Sequence, residues 1–167
     1  MANTSGRRIG AIIKLAFEDL RLEKTETAPY GAILWPAKSD KKKKARLAPL
    51  APSARAAIDR IIADRPGIGS VPLFPAPNDP TVPMSRHLAD SWLRKAQDVA
   101  KVESQKGGLW HPFRRKWATE RKHMPDADVM AAGGWQSLDA LKRSYQHEDE
   151  ATMLRVVLGG GQLREAK

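Results

Sequence analysis

Apolar positions recur at helical spacing along most of this chain, with one interval near the N-terminus where they do not. Ile9, Ile12, Ile13, Ala16 and Leu20 fall on one face at that period, which predicts an amphipathic helix over 7–19. From 20 to 50 the pattern changes. Short segments at 20–26, 32–36 and 46–50 alternate with turn-forming or charged stretches, as a small antiparallel sheet requires. The run from Lys38 to Lys44 between the last two predicts an exposed hairpin tip. Residues 51–64 are alanine-rich and set Ile58, Ile61 and Ile62 on one side, predicting a helix capped by Ser53. Six prolines between 66 and 83 exclude a long regular element and predict a surface crossing. Ser85 opens the next helix, with Leu88, Trp92 and Val99 spaced for burial. After Gly107-Gly108 a further helix carries Phe113 and Trp117 as an i,i+4 apolar pair. A short helix over 126–132 ends at Gly133-Gly134, and two more are expected over 138–146 and 150–158. The fold class is α+β and mainly helical, a single domain over 1–158 with one small antiparallel sheet near its N-terminus. A polar tail, 159–167, follows it.

Charge adds a partner to this picture. The chain has 167 residues, enough for one domain with a real core. Lys and Arg number 29 against 19 Asp and Glu, a net charge of +10, which points to a polyanion and most often to nucleic acid. The surplus is concentrated in residues 1–48 and 106–124, while 125–153 is net acidic, as a binding face requires. The absence of cysteine excludes disulfides and thiolate metal sites, and the histidines at 87, 111, 123 and 147 lack metal-ligand spacing. No metal or cofactor is expected. No apolar run approaches a membrane span and no signal-peptide core is present, so the chain reads as soluble and cytoplasmic, with no membrane partner.

The chemistry concentrates between His111 and Tyr145. His111 and Arg114 stand three apart and share a helical face. Phosphoryl transfer requires neutralised non-bridging oxygens and a place for protons, which paired arginine and neutral imidazole supply. Tyr145, one of two tyrosines, is a possible nucleophile beside these cations. Its helix also aligns it with Leu138 and Leu141, as a core tyrosine would be, and a phenol needs cations and a base before it attacks.

Taken together, His111-Pro112-Phe113-Arg114, then Gly133-Gly134-Trp135, then Tyr145 resemble the catalytic domain of tyrosine recombinases, the phage-integrase family. Ser5-Gly6-Arg7-Arg8-Ile9-Gly10 is similar to that family's first arginine segment and aligns Arg8 with its first catalytic arginine, Arg7 being the alternate. The lysine-rich hairpin before Ala48-Pro49-Leu50 matches the turn that delivers the family's catalytic lysine, with Lys41 best spaced and Lys42 and Lys38 as alternates. The resemblance implies cleavage and rejoining of double-stranded DNA through a 3′-phosphotyrosyl intermediate. The implied catalytic set is Arg8, Lys41, His111, Arg114, Trp135 and Tyr145, with self-association on DNA through the C-terminal segment. It departs from the family at Ala11, where a Glu is usual, and at Trp135, which replaces the commoner histidine. The family's N-terminal DNA-gripping domain has no counterpart in these residues. That leaves two other expectations in play, a DNA-binding remnant without turnover and a type IB topoisomerase-like activity.

Overall fold

The computed structural model describes residues 1–36, 45–103, 108–147 and 150–159. It opens with one helical turn, α1 (Ala2–Ser5), closed by Gly6 at a left-handed φ of 62°. A second short helix, α2 (Ile9–Ile12), follows. The continuous helix expected over 7–19 is therefore not formed. Ile9, Ile12 and Ile13 do enter the core, as their spacing required. Beyond them the backbone changes partner: Leu73 N donates to the Leu15 carbonyl at 2.8 Å, and Phe17 N donates to the Val71 carbonyl at 3.0 Å. Leu15 and Phe17 remain buried, so an apolar face survives the change from helix to extended chain.

The expected sheet is present. β1 (Leu20–Arg21), β2 (Ala32–Trp35) and β3 (Arg46–Pro49) pair antiparallel in that order, with Ile33 opposite Ala48 and Trp35 opposite Arg46. Ile33, Trp35 and Ala48 face the core. The lysine run expected at the β2–β3 tip lies outside the described residues. Helix α3 (Pro52–Asp64) buries Ile58, but Ser53 does not cap it. Ala51 holds the cap position and Pro52 starts the first turn, where its fixed φ suits a helix and its missing N–H costs nothing.

The proline-rich crossing contains a hairpin that the sequence did not announce, β4 (Pro75–Ala76) with β5 (Asp79–Pro83). A two-stranded ribbon is all edge, so Pro75, Pro80 and Pro83 can sit where no ladder needs their N–H. Helix α4 (Arg86–Ala100) begins as expected, with Ser85 Oγ accepting from Leu88 N at 3.1 Å. Trp92 and Val99, expected inside, are instead 53% and 77% exposed. Only the first turns of α4 meet the core, through Ala89 and Leu88, and the rest of the helix overhangs it.

Four helices follow among the described residues: α5 (His111–Thr119), α6 (Asp126–Gly133), α7 (Leu138–Tyr145) and α8 (Glu150–Gly159). α5 packs against α1 on the N-terminal side and against α7 on the C-terminal side, and α6 packs on β3. The expected Phe113–Trp117 pair is divided, because Phe113 tilts onto Trp110 and Trp117 stacks on Trp135. The apolar residues thus gather into two clusters. One is built on α2, the three-stranded sheet and α3; the other comprises Trp117, Ala118, Val129, Trp135, Leu141 and Tyr145. None of the described helices is long and apolar enough to cross a membrane.

Gly6 lies at the seam between the clusters. A Cβ there would enter the Trp117 indole, and the left-handed backbone would add its own strain. Gly6→Ala is expected to lower stability by about 2–4 kcal/mol, combining overpacking with the left-handed penalty. Chemical denaturation of the two proteins measures it.

Candidate active site

The seam is stitched by arginines. Arg114 on α5 is 3% exposed, and its Nη1 donates to the carbonyls of Gly6 and, at 2.7 Å, Gly133. Arg7 donates through Nε to the Ala132 carbonyl at 2.8 Å and through Nη2 to the Ala131 carbonyl at 2.9 Å, with its guanidinium 4.7 Å from the Trp35 ring centre. Three consecutive carbonyls at the end of α6 thereby receive charged donors. These last carbonyls lack intrahelical partners and carry the negative end of the helix dipole, so guanidinium groups satisfy both needs. Trp117 Nε1 adds a third stitch to the Thr4 carbonyl at 3.0 Å.

Gly134 ends α6 at a φ of 71° and turns the chain so that Trp135 lies over the seam. The Trp135 ring stacks on Trp117 at 5.8 Å, meets the Tyr145 ring edge-on at 5.1 Å, and has the Arg114 guanidinium carbon 3.5 Å from its centre. Tyr145 closes α7. Thr119 Oγ1 donates to its carbonyl at 3.1 Å and accepts from His147 N at 3.3 Å, which holds the helix end against α5. The Tyr145 ring is core, beside Leu141, while its hydroxyl reaches to 3.4 Å from His111 Nδ1. Leu138 does not share that buried face: it is 45% exposed at the first position of α7, just past the Ser137 cap, where the helix has not yet reached the core.

A cavity of about 90 Å³ opens beside these residues, lined by Arg7, Arg8, Ile9, Arg86, Trp110, His111 and Arg114. Arg8 is the extended residue that precedes α2, and it presents its side chain to solvent while its neighbour Arg7 is buried. The structure therefore gathers Arg8, His111 and Arg114 around one cavity, and joins Trp135 and Tyr145 to it through Arg114 and His111. Lys41 and its alternates Lys38 and Lys42 lie outside the described residues. Two participants carry no motif that singled them out: Arg86, and Trp110 in the residue before His111. Arg7, the alternate to Arg8, serves instead as the second stitch to α6.

The electrostatics follow from crowding cations in a partly closed site. Burial, reinforced by the charge of Arg8, pulls the Arg114 guanidinium down to about 10, still fully charged at neutral pH. His111 is lowered from its ordinary value by partial burial and then by the charges of Arg114, Arg115, Arg86 and Arg8. It is therefore neutral at pH 7, able to accept a proton. Arg114 Nε, Arg114 Nη2 and Trp135 Nε1 are buried without a hydrogen-bond partner. Each such donor costs about 1–3 kcal/mol while unmatched. An anionic oxygen is the partner that a guanidinium binds most strongly.

Residues 1–152 match the sequence profile of the phage integrase family, and the chain belongs to that family. The fold is that of the tyrosine recombinase catalytic domain. XerA recombinase superposes with a TM-score of 0.72 at 20% identity, covering 98% of this chain and 56% of that one. XerH site-specific recombinase, solved bound to palindromic difH substrate in a post-cleavage complex, gives 0.70 at 19% identity over 93% of this chain and 42% of that one. The Tn1549 transposon integrase, solved with circular intermediate DNA, gives 0.60 at 16% identity over 93% of this chain and 54% of that one. The chain thus spans about half the length of the solved structures it resembles. No curated protein matches it by sequence.

The two adjacent arginines are separable by stability. Arg7→Ala should lower it by roughly 2–4 kcal/mol, because buried helix-end carbonyls lose charged donors. Arg8→Ala should change it by no more than about 0.5 kcal/mol, as an exposed substitution does. Urea unfolding of both variants checks this.

His111 titrates below the ordinary histidine value of about 6.5. Since the folded value is the lower one, its effect on stability is absent above about pH 6.5, and stability falls as pH drops from there toward the folded value. An NMR titration of the imidazole should give a midpoint below 6.5 that moves up in Arg8→Ala.

Proposed function

We propose that this chain cleaves and rejoins strands of double-stranded DNA, and that residues 1–158 form a site-specific recombinase catalytic domain with Tyr145 as nucleophile. The observation that carries this reading is the Tyr145 hydroxyl, 3.4 Å from His111 Nδ1, on a ring whose centre lies 4.9 Å from the Arg114 guanidinium carbon. A neutral imidazole and a guanidinium with unmatched donors line one cavity, and the phenol hydroxyl lies beside that imidazole, in a chain of net charge +10. XerH and the Tn1549 integrase were solved on DNA, which supports the same substrate class here.

In this reading the Tyr145 oxygen attacks a DNA phosphorus as the bond from phosphorus to the 5′ oxygen breaks. The product is a 3′-phosphotyrosyl link and a free 5′-hydroxyl. His111 takes the phenolic proton, and Lys41 supplies one to the departing oxygen. Arg8 and Arg114 hold the non-bridging oxygens, where fixed positive donors stabilise the charge that builds in the transition state. Trp135 fixes the Arg114 guanidinium by stacking, and its indole N–H is a further donor. Attack by a 5′-hydroxyl from a partner strand reverses the step and conserves the bond energy, so neither a nucleotide nor a metal enters the balance.

Exposed Met153, Leu154, Val156, Val157 and Leu158 on α8 support self-association on DNA through that helix. A cytoplasmic, nucleoid-associated place for a prokaryotic or phage-encoded protein agrees with this substrate. One observation favours the alternative of DNA binding without turnover: Arg114 Nε and Nη2 are covered, so the cavity must open before both can reach a phosphate.

Tyr145→Phe is expected to abolish a denaturation-resistant adduct on nicked DNA while leaving binding unchanged. Equal loss of binding would make Tyr145 structural and sink the reading. The logarithm of affinity should fall with the logarithm of salt at a slope of about −3 or steeper, since each neutralised phosphate contributes roughly −0.9. A flat profile would remove the basic cavity as the DNA site.

A further inference from the structure

We infer that Arg86 is a third phosphate-binding guanidinium of this cavity and that Asp90 is the residue that positions it. Arg86 lies in the first turn of α4, far in sequence from every motif described above, yet it lines the same cavity as Arg8, His111 and Arg114. The Asp90 carboxylate accepts from Arg86 Nε at 2.8 Å and, on the same oxygen, from Trp110 Nε1 at 2.6 Å. Trp110 is the residue immediately before His111 and stands at the start of α5. One half-buried carboxylate therefore ties the start of α4 to the start of α5 and fixes Arg86 relative to His111.

An ordinary i,i+4 surface pair would not need this second donor, nor face a cluster of like charges. Asp90 holds Arg86 through Nε, and the two terminal nitrogens of the planar fork remain for two oxygens of a phosphate. Among the described residues, those around the cavity are Arg7, Arg8, Ile9, Arg86, Trp110, His111 and Arg114, with no carboxylate in that lining. Cations gathered this way repel one another until an anion arrives. Arg86 comes from a different element than Arg8 and Arg114, so it reaches the anion from a third direction. The inference rests on reading the cavity as the DNA-phosphate site, and it does not require that the strand be cut.

The test uses the full chain with inorganic phosphate as probe, read by the His111 ring signal in NMR. Duplex DNA binding is followed in parallel against salt. Arg86→Ala should weaken phosphate binding at least about fivefold and flatten the salt slope by about 1, as loss of one phosphate contact does. Asp90→Ala should weaken phosphate binding to a similar degree although no positive charge is removed, and Arg86→Lys should recover only part of the loss. Unfolding midpoints of the Arg86 variants should match the parent. Unchanged phosphate affinity in Arg86→Ala overturns the inference whatever happens to DNA, since Arg86 would then be a surface cation outside the cavity. A parent chain that forms no adduct on nicked DNA, but loses phosphate with Arg86→Ala, would sink the cleavage reading and leave this one standing.

Discussion

The Arg114 guanidinium, buried on α5 and donating to the carbonyls of Gly6 and Gly133, is the contact on which the arrangement of the site depends. It joins segments more than a hundred residues apart in sequence: its donors reach 108 positions back to Gly6 and 19 forward to Gly133. Burying a guanidinium is costly unless its donors are matched and its face is covered. Here the two carbonyls meet one edge and the Trp135 ring meets the face at 3.5 Å. Arg7 repeats the device on the two preceding carbonyls of α6. Because α6 ends where both guanidinium groups converge, the turn at Gly134 and the position of Trp135 are fixed by the same charges.

From that constraint the rest of the site follows. With α5 held to the N-terminal segment, Arg8 emerges next to His111 at the start of α5. With α7 packed on the other side of α5, Tyr145 ends its helix near the same His111, anchored by Thr119. Among the described residues, the catalytic candidates come from the residue before α2, from α5, from the turn after α6 and from the end of α7. The arrangement leaves Arg114 partly unmatched. That unmatched capacity is a cost in the free protein and a binding resource for an anion.

Much of this was legible from the residues alone, and the failures share a cause. The sheet over 20–50, the Ser85 cap and the stop at Gly134 rest on local rules, and they stand in the structure. Helical spacing correctly marked Ile9, Ile12 and Ile13 as core but overextended the helix, because Leu15 and Phe17 are buried by backbone pairing with 71–73. Trp92 and Val99 carry a burial pattern on a helix that runs past the core, and no local rule records where a core ends. The β4–β5 hairpin was hidden by its prolines. At the site, the family resemblance named Arg8, Lys41, His111, Arg114, Trp135 and Tyr145, and those of them among the described residues lie close together. It could not separate the roles of Arg7 and Arg8, nor reveal Arg86 and Trp110, since those two are joined only through the Asp90 carboxylate on α4.

The most direct measurement is mass-spectrometric mapping of the covalent product from a nicked DNA duplex incubated with the full chain. The account predicts one DNA-linked peptide containing Tyr145, joined to a 3′-phosphate, with release of a strand ending in a free 5′-hydroxyl. A link to Tyr30, a 5′-phosphate linkage, or strand scission with no linked peptide would contradict it.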